Sequence, residues 1–335
     1  MPNPKIKQSI QVVISLGVAF WIFWFLYKDI ELVELQTQLA SSNWFWIFGS
    51  LTIAWIGYWI RGWRWALLIQ KQVGEQQVSG NRAYHAVMVG YLVNLLIPRA
   101  GEVARCGVLA RTNGISIGHL LGTVILERTI DLSFLAGTIF LAFVLESSLF
   151  LSLAGELIDV SSLGEKIISL LPLFLGGILV FVLFLYVLFR KFRGNGLVNK
   201  LQQFFRQLIS GIQTIGKLQN PIGFWVSSLV IWIIYFLTMY TVSQGIQSTA
   251  TLSASQVLLV MVMGSIGMVA PVQGGIGTFH ALVAYILIQF GVSETDGKIF
   301  AAIIHGTQVI LVMLVGLVSW IVMVKIPVWI KPDKS

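Results

Sequence analysis

Apolar windows of about 20 residues recur along this chain, and they leave few folds open. In hydrocarbon every backbone amide must find its partner inside the protein, so a spanning segment is a helix or a strand of a closed barrel. A helix needs about 20 residues to cross a core of about 30 Å. Six segments meet that length, at residues 10–27, 44–65, 118–145, 168–189, 222–243 and 299–324. Charged residues are 11% of the chain, against about 25% in soluble domains. The reading is an all-α polytopic membrane protein, a single membrane domain over 1–335 rather than two soluble domains. The lone cysteine, Cys106, leaves no intrachain disulfide and no multi-cysteine metal site. The first apolar run follows Lys5 and Lys7, is longer than a signal-peptide core and precedes no small-residue cleavage motif, so it reads as a retained helix.

Two further apolar pieces, 83–97 and 255–270, are too short to cross. At 1.5 Å per residue each covers only about 22–24 Å. Both end in a Pro- and Gly-containing break: NLLIPRAGEVARCG (Asn94 to Gly107) and GMVAPVQGGIGTFH (Gly267 to His280). They read as re-entrant half-helix hairpins, each returning to the face it left. The first half, 1–145, and the second, 168–324, then carry the break at the same place and face opposite ways. Inverted repeats with broken helices meeting near the midplane are a common transporter plan. Direct sequence similarity between the halves is weak; the tripeptides GIS (Gly114 to Ser116) and GVS (Gly291 to Ser293), each before a long span, are suggestive.

This topology places 18 of the 22 basic residues on one face, all but Lys28, Arg128, Lys166 and Lys298. The other face collects Asp29, Glu31, Glu34, Glu146, Glu156, Asp159, Glu165, Glu294 and Asp296. The basic face is cytoplasmic by the positive-inside rule, with both termini inside. Topology accounts for the net charge of +8, and a nucleic-acid partner has nothing left to explain. If both broken segments crossed fully there would be eight crossings, and the acidic loop 146–166 would fall in the cytoplasm, which fits worse. Residues 190–221 carry six basic residues and no acid, with apolar positions at helical spacing. They read as an amphipathic helix in the inner interface or as a cytoplasmic extension of the fourth span.

The first break holds the most chemistry. Pro98 and Gly101 make a turn, Glu102 and Arg105 share a face if helix resumes after Gly101, and free N–H groups at the start of that helix favour an anion. Arg99 and Arg105 add positive charge. In the third span Glu127 lies nine residues past Gly118, about 14 Å along the axis and near the bilayer centre. Charges at that depth face the bundle interior and are paired. Glu127 and Asp131, four apart, share a face, and Arg128 points about 100° away. Pairing of Glu127 or Asp131 with Arg105 or Arg128 would also serve simply to hold the first hairpin. Arg61 and Arg64, near the cytoplasmic end of the second span, are expected to snorkel toward lipid phosphates, with Arg64 the substrate candidate of the two. In the second break Pro271 stops the incoming helix, and Gly274, Gly275 and Gly277 allow turns that other residues resist. His280 and His305 read as packed, hydrogen-bonded residues or as proton carriers.

The ordered motifs NLLIPRAGEVAR, ERTID and PVQGGIGTFH resemble the flippase-like membrane domain of lysylphosphatidylglycerol synthases and its stand-alone relatives, over nearly the whole chain. The resemblance implies a multi-pass protein of a bacterial cytoplasmic membrane. By motif match it nominates Asn94, Pro98, Gly101, Glu102, Arg105, Glu127, Arg128, Asp131, Pro271, Gly274, Gly275 and Gly277. Gln273 stands where the family often has a second proline, and His280 where it often has an acid. The sequence stops at Ser335 without the soluble aminoacyl-transferase domain of those synthases, so the expectation is lipid translocation rather than lipid modification, and no enzyme. The expected partners are membrane lipids and, on a scaffold reading, lipid-modifying enzymes. No cofactor or metal is expected, and no phosphate-binding nucleotide loop occurs. A membrane transferase would need a carboxylate or metal constellation that the outer loop 146–167 does not offer. Oligomeric state is not encoded in any pattern found.

Overall fold

The computed structural model describes residues 24, 28, 32–69, 77–97, 99–149, 218–269 and 272–329. The expected span 168–189, the span 10–27 apart from Trp24, nearly all of 190–221, and both prolines of the breaks, Pro98 and Pro271, lie outside the described residues. Two compact units emerge from the packing, residues 1–142 with 218–335 and residues 143–217. Of the second, the described residues are 143–149, which finish a long helix and the turn after it.

The described residues are helical and fall into nine α-helices. They are α1 (Leu32–Ser41), α2 (Trp44–Leu68), α3 (Gly80–Leu96), α4 (Gly101–Asn113), α5 (Ile117–Leu145), α6 (Pro221–Gly245), α7 (Ala254–Val269), α8 (Thr278–Gln289) and α9 (Glu294–Lys325). The spans expected at 44–65, 118–145, 222–243 and 299–324 correspond to α2, α5, α6 and α9, and the two short pieces to α3 and α7. α1 was not expected. Its LVELQTQLAS is short, weakly apolar and preceded by acids. By length and composition α5, α6 and α9 could each cross a membrane. α2 is as long as α6, but Trp, Tyr and two Arg dilute its apolar character.

Helix lengths repeat. α2 to α5 run 25, 17, 13 and 29 residues, and α6 to α9 run 25, 16, 12 and 32. The short helices pack in pairs, α3 on α4 and α7 on α8. Both pairs cross where side chains are missing. A Cβ on Gly101 would lie 2.0 Å from the Gly90 carbonyl oxygen, and one on Gly267 would lie 2.7 Å from Phe279 Cα. Each pair then joins its long helix by the same device. Gly114 ends α4 at φ 73° and Gly291 follows α8 at φ 82°, the left-handed conformation that closes helices. Two residues on, Ser116 Oγ accepts the His119 N–H and Ser293 Oγ accepts the Asp296 N–H, starting α5 and α9.

α2 packs along α6, α3 against α2 and α9, α7 against α6, and α8 against α9. The core between them holds Trp65, Met88, Phe224, Ile231 and Phe300, all essentially inaccessible. Ile125, Leu132 and Phe140 of α5, and Leu314, Leu317 and Ile321 of α9, face outward, a surface suited to lipid rather than water.

Candidate functional site

Arg61 and Arg64 lie three apart on α2 and so share one face. Glu127 and Asp131 lie four apart on α5 and share another. The two faces meet. One Nη of Arg61 stands 3.2 Å from Glu127 Oε1 and 2.8 Å from Asp131 Oδ2. One Nη of Arg64 stands 3.2 Å from Glu127 Oε1 and 2.7 Å from Asp131 Oδ1. Arg105, from the second turn of α4, donates to the other oxygen of Glu127 at 2.9 Å. α6 closes the group: Arg61 donates to the Tyr235 hydroxyl at 2.5 Å and Arg64 to Ser228 Oγ at 3.2 Å.

The snorkelling expected of Arg61 and Arg64 is therefore corrected. Arg64 and Glu127 are 0% exposed, Arg61 is 6% and Arg105 is 4%. Both arginines sit in the last eight residues of α2, and their stems can bend either way along the helix. Two carboxylates on α5 and two hydroxyls on α6 meet them there, so both Nη atoms of each guanidinium hold charge-assisted hydrogen bonds. Aromatic faces complete the enclosure, with the Arg105 guanidinium 4.5 Å from the Trp65 ring centre. The burial is incompletely compensated, since among the described residues Nε of Arg61, Arg64 and Arg105 has no hydrogen-bond partner.

Arg128 turns off this face, as its position in the helix requires, and donates through Nε to Glu102 at 2.5 Å. Both side chains are about half-exposed. Together they form the mouth of a small cleft floored by Val87, Gly90, Tyr91, Asn94, Gly101 and Arg105. Its open volume is about 10 Å³, room for about one water molecule. The start of α4 is capped across the hairpin: Asn94 Oδ1 accepts the Gly101 N–H at 2.7 Å. Arg99, at φ 62° and exposed, takes up the turn.

The second break is built from backbone. Gly274, Gly275 and Gly277 all have positive φ, at 56°, 71° and 89°. Thr278 Oγ1 donates back to the Gly267 carbonyl of α7 at 2.8 Å. His280 is buried, and its Nδ1 accepts the Gly277 N–H at 3.2 Å, so it caps α8. Its ring centre lies 4.9 Å from that of His305. α3 packs against the turn 273–275, which links the two breaks.

Of the residues read from the sequence, Arg64, Glu102, Arg105, Glu127, Arg128 and Asp131 come together in one ion-paired group. Asn94 and Gly101 shape its floor. Gly274, Gly275, Gly277 and His280 shape the other break instead. Sequence reasoning missed Arg61, Tyr235 and Ser228 as members. The signal for Arg61 was present, since two arginines three apart and two acids four apart are complementary patterns. None existed for the α6 hydroxyls, which depend on how α6 lies along α2.

A family profile described as the lysylphosphatidylglycerol synthase TM region matches residues 12–316. No curated protein and no solved structure matches the chain. The match spans most of the sequence, and the chain belongs to that family, a family of membrane proteins.

Proposed function

We propose that this member of the lysylphosphatidylglycerol synthase TM-region family carries a phosphate-bearing lipid, a phospholipid or a polyprenyl-linked lipid, between the leaflets of a bacterial cytoplasmic membrane. In this reading six helices span the bilayer with both termini in the cytoplasm. α3–α4 and α7–α8 are re-entrant hairpins of an inverted repeat. The similar lengths of the two helix sets and the shared Gly-x-Ser junctions support that repeat. Rocking of one half against the other would present the site to each leaflet in turn, the acyl chains staying in lipid.

One observation carries the reading. Three buried arginines and two carboxylates from α2, α4 and α5 meet in the interior of an apolar helical protein, beside a cleft whose mouth holds a half-exposed Arg. Intramembrane charge is expensive and marks ligand pathways. A phosphate oxygen is the partner that guanidinium forks fit best.

The test is transport in liposomes of labelled phospholipid and prenyl-phosphate lipid. Protein should speed crossing well above empty vesicles, and Arg105→Ala should abolish the gain. Equal rates with and without protein, or an Arg105→Ala variant as fast as the parent, would end the proposal. A second reading is favoured by the small cleft and the multiple pairing of Glu127: a membrane scaffold for lipid-modifying enzymes. Unaltered complementation by a Glu102→Gln, Arg105→Gln, Glu127→Gln triple variant would select it.

A further inference from the structure

We propose that the cleft selects a lipid head with one net negative charge, a phosphodiester without an amine, over zwitterionic and cationic heads; this rests on the transport reading above. Among the described residues, seven ionisable side chains are joined by ion pairs: Arg61, Arg64, Arg105 and Arg128 against Glu102, Glu127 and Asp131. A guanidinium does not lose its proton in a protein. With every carboxylate ionised, the group still holds one surplus positive charge.

That surplus is placed to be met from the cleft. Arg105 lines it, is 4% exposed, and among the described residues its inaccessible Nε has no hydrogen-bond partner, so a head reaches it only as the cleft widens in transport. Arg128 stands at the mouth, about half-exposed. An unbalanced charge in a low-dielectric interior is costly, so an occupant that cancels it binds best. A single phosphodiester charge cancels it. A zwitterionic head brings no net charge and leaves the surplus in place. A cationic head adds to it. An ammonium would also find the nearest carboxylate, Glu102, already taken by Arg128 at 2.5 Å.

The experiment uses the full chain in liposomes with three chain-labelled lipids of equal length: phosphatidylglycerol, phosphatidylethanolamine and the lysyl ester of phosphatidylglycerol. The anionic lipid should cross at least about tenfold faster than the other two. Two variants at the half-exposed mouth move the charge balance while leaving the three buried arginines in place. Arg128→Gln, which makes the group neutral, should shift preference toward phosphatidylethanolamine. Glu102→Gln, which doubles the surplus, should raise phosphatidate relative to phosphatidylglycerol. Equal rates for the three lipids, faster movement of an amine-bearing head, or variants with unchanged preference would overturn the inference.

Binding separates this inference from the transport reading. Short-chain lipids with the same three heads are titrated against purified protein, read by tryptophan fluorescence. Preference for the anionic head without any lipid movement supports charge selection and removes transport. Binding without preference overturns charge selection, whatever moves. If soluble glycerophosphoglycerol, the phosphodiester head without its chains, competes as strongly as the short-chain lipid, the occupant is a free anion, and the lipid-head assignment falls.

Discussion

α5 and α9 hold the same place in their two sets of helices, each following a short helix pair and a Gly-x-Ser junction, yet they are attached differently. α9 lies close along α3 and α8. Gly316 lets it approach the Met88 carbonyl and Leu92, and Ser319 Oγ meets His85 Nδ1 at 3.0 Å. Among the described residues α5 reaches the bundle through side chains. Trp65 Nε1 donates to Thr123 Oγ1 at 3.0 Å, Phe134 stacks on Trp232, and Glu127 and Asp131 grip three arginines. A seam of close packing has one arrangement, because a packed interface does not deform continuously. A few ionic ties have alternative partners. On the transport reading, α5 is the element whose ties a lipid phosphate would compete for, and α9 belongs to the frame.

The strongest way to break this contrast is to cut one tie on each helix. Glu127→Gln leaves three buried guanidiniums facing one carboxylate, and losing one partner of a buried pair costs about 3–5 kcal/mol. On α9, Gln308 accepts the Tyr58 hydroxyl at 2.9 Å. Removing one neutral hydrogen bond in Gln308→Leu should cost about 1 kcal/mol. Unfolding of the purified variants by SDS titration measures both. If Glu127→Gln is no worse than Gln308→Leu, charge does not hold α5.

A second comparison concerns the two hairpins below these helices. Gly101→Ala would force a methyl to within 2.0 Å of a backbone oxygen, and Gly267→Ala would bring one to 2.7 Å from a Cα and 2.9 Å from an amide nitrogen. Neither obstacle is a flexible side chain, so the helix pairs must separate. Overpacking of this kind costs typically about 1–3 kcal/mol, with Gly101→Ala at the upper end and Gly267→Ala below it. Melting of the two variants in one detergent ranks them. The reverse order would place the tighter crossing in the second hairpin.

Much of this arrangement was legible in the residues. The four long described helices and both short apolar ones lie within five residues of their expected limits, because each apolar run stops at Gly, Pro or charge. The breaks were legible for the same reason. The charged group was half legible. Depth made Glu127 a residue that must be paired, but one sequence does not say which cations reach it. Arg61 and Arg64 have long stems near a helix end, and end position alone favours water. Their inward turn is decided by α5 and α6, through contacts across more than 60 residues of sequence. α1 was not legible because a ten-residue helix with three apolar-polar alternations resembles a loop in composition.

The smallest effect compares the two junctions themselves. Ser293 caps α9 twice over: its Oγ accepts the Asp296 N–H at 3.1 Å and donates to the Asp296 carboxylate at 2.8 Å. Ser116 at the head of α5 accepts the His119 N–H at 3.3 Å. Replacing a capping serine by alanine costs about 0.5–2 kcal/mol, and the better bonded cap should cost more. Ser293→Ala should lose about 1 kcal/mol and Ser116→Ala about 0.5 kcal/mol. Amide exchange sharpens the reading beyond melting alone. In Ser293→Ala faster exchange should stay in the first turn of α9, because close packing on α3 and α8 holds the rest. In Ser116→Ala it should extend along α5 toward Glu127, where the ionic ties resume. Exchange confined to one turn in both variants would mean that α5 is held as firmly as α9, and the contrast between them would be lost.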